Sequence, residues 1–488
     1  MPNVIVICAN GLQTAYLGTY GNPWIHTPNI DRMAARSVVF DWHFPDNLTT
    51  LPARRSWWSG QYTIHDPLKS WGPLENAQEL ELLSLLKTAK VRTTLISDCP
   101  YINDPSMGFA RAWSERILVR GSGYDAWCDP DEVKVDCRKK GSELPLPPET
   151  DPNYEIWRER WDDLLRNRKQ TGRLLDERQT GVAKVVTKAE DWLSKQTPDS
   201  TPYLLWLDIF CPHGPWDLPE VYRDYYAADR ADHFEIHETG DLVPTKPSDT
   251  KKIRSLIDVP GGWVGDIITD DELIRLRKTY AGAVTMLDTW VGHLMNYLED
   301  TGLWDDTIIA FTSDQGEPLG EHGFVRRPVA NVHEELAHTP LIVRWPDLKE
   351  TGQRIGSLIQ SIDLTATILN SFNLETPNHW HGKDLKPLII DQETPWREMV
   401  ITGMDNDIYA IRTHEWLLIQ HAEADPDESD PKEEPDDILD TELDKPELYI
   451  KPEDRWERHD VASMNEDVVE ELSAQLNQIL EKLSEAAD

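Results

Sequence analysis

Over roughly the first 390 residues, short apolar runs alternate with longer amphipathic stretches. Val4–Cys8, Thr93–Ser97, Tyr203–Phe210 and Thr307–Thr312 are runs of β-branched and other apolar residues, each closed by polar residues, Gly or Pro. A continuous apolar run of this length is the pattern of a strand buried on both faces, as in a parallel sheet. Between the runs, Ile30–Ala35, Ala77–Lys90, Thr180–Leu193 and Leu273–Leu298 carry helical periodicity. The alternation predicts an α/β fold: a doubly wound, mixed but mostly parallel sheet flanked by helices. In that architecture functional side chains gather at the carboxyl ends of the strands. The polar residues that follow each run are therefore the ones to read for chemistry.

After residue 390 the pattern changes. Met399–Thr402, Ile408–Arg412 and Trp416–Gln420 read as strands of a smaller, antiparallel sheet. The chain ends in a helix with Val468, Leu472, Leu476, Ile479 and Leu483 on one face, a stripe expected to be core. The expected organisation is a main α/β domain, 1–390, and a small C-terminal α+β subdomain, 391–488. The Asp/Glu/Pro-rich segment at about 421–446 reads as a solvated acidic loop. No internal repeat is present.

Composition narrows the function classes. A hydrophobic fraction of 39% with 20 tryptophans describes a packed globule. No run of about 18 apolar residues suggests a membrane helix. Met1–Cys8 reads as a first buried strand rather than a leader, so the expectation is a cytoplasmic protein unless an export signal has been removed. The five cysteines have no zinc-ligand spacing; Cys128 and Cys137 are read as free thiols, with a bridge as the alternative in an oxidising compartment. A formal charge of -38 argues against nucleic acid and anionic membranes as partners.

Four segments carry a recognisable constellation. They are Leu17-Gly-Thr-Tyr-Gly21 with Thr27-Pro-Asn-Ile-Asp-Arg-Met-Ala-Ala35; Thr50-Leu-Pro-Ala-Arg54, ending in Ser59-Gly60; Pro212-His-Gly-Pro-Trp216; and Thr312-Ser-Asp-Gln-Gly-Glu317 with Gly320-Glu-His-Gly323. In order and spacing they resemble the sulfatase family of the alkaline-phosphatase superfamily. Thr339-Pro-Leu-Ile-Val-Arg-Trp-Pro346, Asp363-Leu-Thr-Ala-Thr-Ile368 and Glu447-Leu-Tyr449 extend the likeness over nearly the whole chain.

The resemblance implies a sulfuric-ester hydrolase with three parts: a nucleophile for sulfur, a divalent cation for the sulfuryl oxygens, and an acid for the leaving oxygen. Several matching positions here are altered. The family matures Cys or Ser of C/S-x-P-x-R to formylglycine, but this chain has Thr50. Oxidising a threonine at Cβ gives a ketone, so no formylglycine is expected. The first-strand aspartates correspond to Asn10 and Gly11, leaving Asn10, Asp314 and Gln315 as the metal set. With one formal charge, that set is expected to hold a calcium-like cation only weakly. Tyr101 stands where a histidine is expected, and Arg327 where a lysine is. Arg54 and His213 match the arginine beside the nucleophile and the histidine at the sulfate or leaving group.

Each residue also has a structural reading. Thr50 can cap the following helix, Asp314 can close a turn, and His213 can be held by Trp216. His322 and His333 read as loop or supporting residues, and Arg326 and Arg327 as surface charges or an anion-binding pair. Three functional expectations follow. The first is a sulfatase-like protein with a degraded active site, inactive or weakly active, that still binds a small sulfate or phosphate ester. The second is an active hydrolase of sulfate, phosphate or phosphonate esters with Thr50 as direct nucleophile. The third is a non-catalytic interaction protein that uses the acidic segment. The oligomeric state is not encoded in any motif.

Overall fold

The structure is a computed structural model. It describes residues 2–64, 72–76, 79–123, 125, 143–144, 147, 149–160, 176–197, 201–226, 234–236, 242–244, 253–254, 256, 258–326, 330–346, 348, 351–404, 408–422 and 445–487. Arg327, Cys128, Cys137 and most of the acidic segment at about 421–446 lie outside the described residues.

Eight strands form the central sheet: β1 (Asn3–Asn10), β2 (Val38–Phe44), β3 (Arg92–Ser97), β4 (Glu115–Leu118), β5 (Tyr203–Pro212), β6 (Thr307–Ser313), β7 (Leu341–Arg344) and β8 (Gln353–Gln360). Their order is β8-β2-β7-β6-β1-β5-β3-β4. β7 runs antiparallel to β6 and β2, and every other neighbouring pair is parallel. The apolar runs read from the sequence are the inner strands β1, β3, β5 and β6. Their residues are buried on both faces, so no alternation survives in them.

Helices cover both faces: α1 (Pro28–Ala34), α2 (Thr50–Ser59), α3 (Glu81–Thr88), α4 (Gly181–Leu193), α5 (Asp270–Asp300) and α6 (Ile362–Ser371). The predicted stretches hold with shifts at their ends, and local chemistry fixes those ends. Thr180 caps α4 by accepting from the Ala183 N–H. Thr269 and Glu272 form a capping box at the start of the 31-residue α5. α5 in turn supplies Asp288, which accepts from the Asn29 and Ile30 N–H groups and closes the first turn of α1. One core cluster joins α4 and α5 to one face of the sheet, and another joins α2, α3 and α6 to the opposite face.

The C-terminal part forms a four-stranded antiparallel sheet, β9 (Val400–Met404), β10 (Ile408–Arg412), β11 (Trp416–His421) and β12 (Glu447–Ile450), in sequential order. The final helix, α7 (Glu466–Ala487), buries Leu472, Leu476 and Leu483 against Ile401, Ile411, Leu418 and Leu448. The predicted stripe is therefore core, and each of these leucines contributes about 1.5–3 kcal/mol of apolar burial. The other face of this sheet packs on Phe44, Leu48 and Leu358 from the main body. The segment after β2 is tied to β9 by reciprocal backbone bonds, Gly403 N–H to Asp46 O at 2.8 Å and Leu48 N–H to Gly403 O at 3.1 Å. No described helix is long and apolar enough to cross a membrane.

Candidate functional site

Because β1, β3, β5 and β6 are parallel, their carboxyl ends share one edge. Asn10 ends β1, and Asp314 follows β6 directly. The β1–β6 register, Cys8 with Thr312 and Ala9 with Ser313, sets these two residues side by side. On the other flank the β1–β5 register slips between Ala9 and Asn10, so that Asn10 faces Pro212. The His213 N–H then donates to the Asn10 carbonyl at 3.0 Å, which brings His213 to the same edge. Gly11 follows with φ +74°, a left-handed conformation suited to glycine, and a Cβ there would sit 3.3 Å from His213 Cβ.

The Asn10 amide is the hub. Its Nδ2 donates to Thr50 Oγ1 at 2.8 Å and to Asp314 Oδ2 at 2.7 Å, and all three residues are buried. Asp314 Oδ1 accepts from the Gly11 N–H at 3.3 Å. Asn10 Oδ1 is buried without a hydrogen-bond partner. Thr50 is not the cap of α2, contrary to the structural reading of the sequence. Thr49 occupies that position without a side-chain cap bond, and Thr50 is the first helical residue. The only hydrogen bond of Thr50 Oγ1 among the described residues is the one it accepts from Asn10.

One helical turn on, Arg54 is fully buried. Its Nε and Nη2 donate to the two carboxylate oxygens of Asp208 at 2.6 and 3.1 Å, and Nη2 lies 3.4 Å from Asp314 Oδ2. Burial opposes the guanidinium charge, but Asp208 and Asp314 more than offset it and hold the group protonated. Its Nη1 is buried with no hydrogen-bond partner. Asp208 was missed in the sequence, although an acid inside the otherwise apolar Tyr203–Phe210 run is a legible signal: a buried charge must be paired.

His213 is fixed by its Nδ1–H, which donates to the Gly214 carbonyl at 2.7 Å, and its Nε2 lies 4.0 Å from Glu317 Oε2. Since a carbonyl only accepts, Nδ1 carries the proton. Glu317 is also paired with Arg326, which reaches Asp258 at 3.2 Å and lies over Trp216 at 4.6 Å. Arg326, read as a possible surface charge, is in fact buried. Tyr101 lies on the short helix Pro100–Asn103, 36% exposed, its ring edge-on to Phe210, which in turn packs on His213. It therefore reaches the site's neighbourhood through a chain of rings. Gln315 is buried beside Asp314.

A cleft opens next to His213, lined by Asp98, Ser122, Phe210 and Trp216 together with the cations Arg120 and Lys184. Asp98 accepts from the Phe210 N–H at 2.8 Å and from Ser122 Oγ at 2.8 Å. Desolvation pushes its carboxyl up to about 6. Neither Asp98 nor Lys184 was picked out in the sequence, since nothing in the local pattern separates them from ordinary polar positions.

The predicted metal set meets this geometry poorly. Asn10 presents its amide hydrogens to Asp314, the sole carboxylate of the set, whose oxygens also face Arg54 and the Gly11 N–H. The orphaned Asn10 Oδ1 and the Gln315 side chain are neutral donors. A hard divalent cation needs a more anionic cage.

Comparison with known proteins bears on what this edge is. Residues 2–374 match the family model described as Sulfatase, and residues 320–486 match one described as N-sulphoglucosamine sulphohydrolase, C-terminal. The chain is 26% identical over 391 residues to the multifunctional alkaline phosphatase superfamily protein PehA of Trinickia caryophylli, covering 77% of this chain and 74% of that one. It is 24% identical over 448 residues to the N-acetylglucosamine-6-O-sulfatase of Bacteroides thetaiotaomicron, covering 86% and 78%. Among solved structures, the phosphonate monoester hydrolase of Agrobacterium radiobacter superposes with a TM-score of 0.67 at 20% identity, over 99% of this chain and 96% of that one. A protein solved in complex with its substrate D-glucosamine-2-N,6-O-disulfate gives 0.67 at 18% identity, over 99% and 98%. With one family model spanning the whole main sheet and its site, this chain belongs to the sulfatase family of the alkaline-phosphatase superfamily.

Proposed function

We propose that this protein binds a small sulfate, phosphate or phosphonate ester at the carboxyl edge of the sheet and hydrolyses it slowly or not at all. The observation that carries the reading is the double contact of the Asn10 amide. It makes Thr50 Oγ1 a hydrogen-bond acceptor, and it gives Asp314 a neutral partner where an anionic cage would be required. Sulfatases generally hold a divalent metal, which neutralises charge on the ester oxygens. The donors here do not fit a tightly held one. Losing a single stabilising group of this kind typically costs about 10²-fold or more in rate.

Binding is supported by what remains. The cleft beside His213 carries Lys184 and Arg120, the latter paired with Asp125, and Arg54 Nη1 has an N–H to give. A sulfated or phosphonate ligand is also the chemistry named for the structurally similar proteins. The second reading, Thr50 as direct nucleophile, is favoured by its position as the first residue of the ten-residue α2, where unpaired helix N–H groups stabilise an anion.

A panel of aryl sulfate, phosphate and phosphonate esters, with added divalent metals, tests both. The proposal expects rates well below ~1 s⁻¹ that do not change in Thr50→Ala. Turnover at ~1–10³ s⁻¹ that vanishes in Thr50→Ala overturns it in favour of the second reading. In a parallel arm, sulfate and phosphate should raise the melting temperature of the wild type and not of His213→Ala. No stabilisation by either anion removes the binding half of the proposal.

A further inference from the structure

One imidazole joins three parts of the chain next to the loop that carries Asp314 and Gln315. His322 lies in the Gly320–Gly323 loop, and its two ring nitrogens face two different elements. Nδ1 lies 2.9 and 3.0 Å from the carboxylate oxygens of Glu335, in the short helix Glu334–Ala337. Nε2 lies 3.3 Å from the backbone carbonyl of Glu457, beyond β12. Glu335 Oε1 also accepts from the Asn331 amide at 3.1 Å, which marks it as the accepting partner. A carboxylate and a carbonyl only accept, so both nitrogens of His322 carry a proton and the ring is an imidazolium. Burial works against that charge, but Glu335 and Glu457 outweigh it, and His322 holds its second proton above the ordinary range.

We propose that this proton is a latch: the imidazolium ties the C-terminal subdomain to the segment that supports Asp314 and Gln315, and its loss as pH rises releases the tie. A neutral imidazole has a single N–H, so either Glu335 or the Glu457 carbonyl would then face a lone pair. A buried acceptor stripped of its donor is unfavourable, and the contact opens. Glu335 depends on the charge most. Among the described residues His322 is its one ion-pair partner. Burial and the nearness of Glu335 both push the adjacent Glu321 carboxyl up, so the two acids lose a cation together. The Glu457 carboxylate is held independently, by Arg412 and Lys451 at 2.9 and 2.6 Å and by His333 Nδ1 at 3.0 Å. His333 is stacked on the face of His322, with centroids 3.9 Å apart and planes at 11°. That stacking leaves the in-plane nitrogens of His322 aimed at Glu335 and Glu457.

The latch sits where it bears on the site. Gly316, two residues after Asp314, donates to the Leu336 carbonyl at 2.8 Å, one residue beyond Glu335. Gln13, three residues after Asn10, donates to Glu321 Oε1 at 3.3 Å, and Arg458 donates to the Glu321 carbonyl at 2.8 Å. The His322 loop thus meets the segments that follow β1 and β6 and the C-terminal subdomain at once. An imidazole whose folded value is raised stabilises this joint fully below the ordinary value of about 6.5. The contribution is lost as pH climbs through the folded value.

The test follows the full chain by hydrogen exchange and mass spectrometry between pH ~6 and ~9, a window that brackets the ordinary imidazole value. Exchange at the imidazole C2–H reports the titration of His322, and amide exchange, corrected for its intrinsic pH dependence, reports the joint. His322 should titrate above about 6.5. Across that titration, amide protection in 314–322 and 333–338 should fall by about 10-fold for each pH unit the folded value lies above it. His322→Gln, which donates without a charge, should match the alkaline wild type already at the acid end and stay flat. Three results overturn the proposal: His322 titrating at or below about 6.5, protection in both segments unchanged across its titration, or parallel loss in wild type and His322→Gln. The first two need no variant to fold.

Discussion

Arg54 holds Asp208 through two nitrogens at 2.6 and 3.1 Å, with both side chains at 0% exposure. A guanidinium this deep is committed to its carboxylate, and only Nη1 lacks a partner. The arginine that sequence resemblance assigns to the nucleophile is thus also an anchor between α2 and β5.

Arg54→Leu should therefore be measured first as a stability variant. It leaves Asp208 buried without its partner and removes the cation beside Asp314. The expected loss is ~3–5 kcal/mol in denaturant unfolding, the usual result of breaking a buried ion pair from one side. A loss under ~1 kcal/mol, within the range of an exposed pair, shows that Asp208 finds another partner.

Asn10→Asp places a second carboxylate 2.7 Å from Asp314 Oδ2, where an amide hydrogen now sits. Like charges at this distance disfavour ionisation of both acids, so the variant should melt below wild type in chelator. Calcium should restore much of the difference, because the new site has the anionic oxygens it lacked. The readout is melting temperature with and without millimolar Ca²⁺. An unchanged response to calcium excludes this corner as a latent cation site.

Two buried acids should make stability fall as pH rises. Desolvation pushes both Asp46 and Asp98 up to about 6, against an ordinary value of 3.8. A carboxyl whose folded pKa is raised binds its proton more tightly in the folded state. Its contribution is complete below the unfolded value and is lost as pH climbs through about 6. Asp46 accepts from Ser56 Oγ at 2.7 Å and Ser361 Oγ at 3.2 Å, and an amide can accept from them equally well. Asp46→Asn should then gain stability relative to wild type at pH 7 and gain nothing at pH 4. Unfolding curves at the two pH values decide it, and a difference of the opposite sign shows that the native fold favours the ionised carboxylate of Asp46.

Gly316→Ala is expected to damage the site without touching any of its polar groups. A Cβ on Gly316 would lie 1.8 Å from the Glu335 carbonyl oxygen, which is backbone and cannot swing aside. The loop carrying Asp314 and Gln315 must shift, at a cost of ~1–3 kcal/mol by the usual scale of overpacking. Thermal melts together with anion-induced stabilisation provide the check. Full retention of both means that the loop has slack.

The sequence made the inner strands legible and the edge of the sheet much less so. β1, β3, β5 and β6 are buried on both faces and print as continuous apolar runs. β2 and β8 mix in Asp41, His43, Gln353, Arg354 and Gln360, and so escape a search for such runs. The reversed direction of β7 has no local signature, because direction is set by how distant segments pair. At the site, Asn10, Thr50, Arg54, His213 and Asp314 were all identified, and the structure draws them to one edge. What could not be read was pairing. Asp208 beneath Arg54, Glu317 near His213 and the Asn10 amide between Thr50 and Asp314 are partnerships across 40 to 304 residues.

The register of the central strand has a consequence for how the chain is made. β1 emerges before every other strand of the central sheet, yet its neighbours are β5, some 200 residues later, and β6, beginning at Thr307. During synthesis the stretch Val4–Cys8 has no native strand to pair with until Leu204 is available, and its second flank stays open until β6 follows. Long-range closure of this kind is slow, and an unpaired apolar strand invites association with other chains. The β1 segment therefore needs protection in the nascent chain, and a product truncated before Thr307 carries the bare edge of β1 permanently.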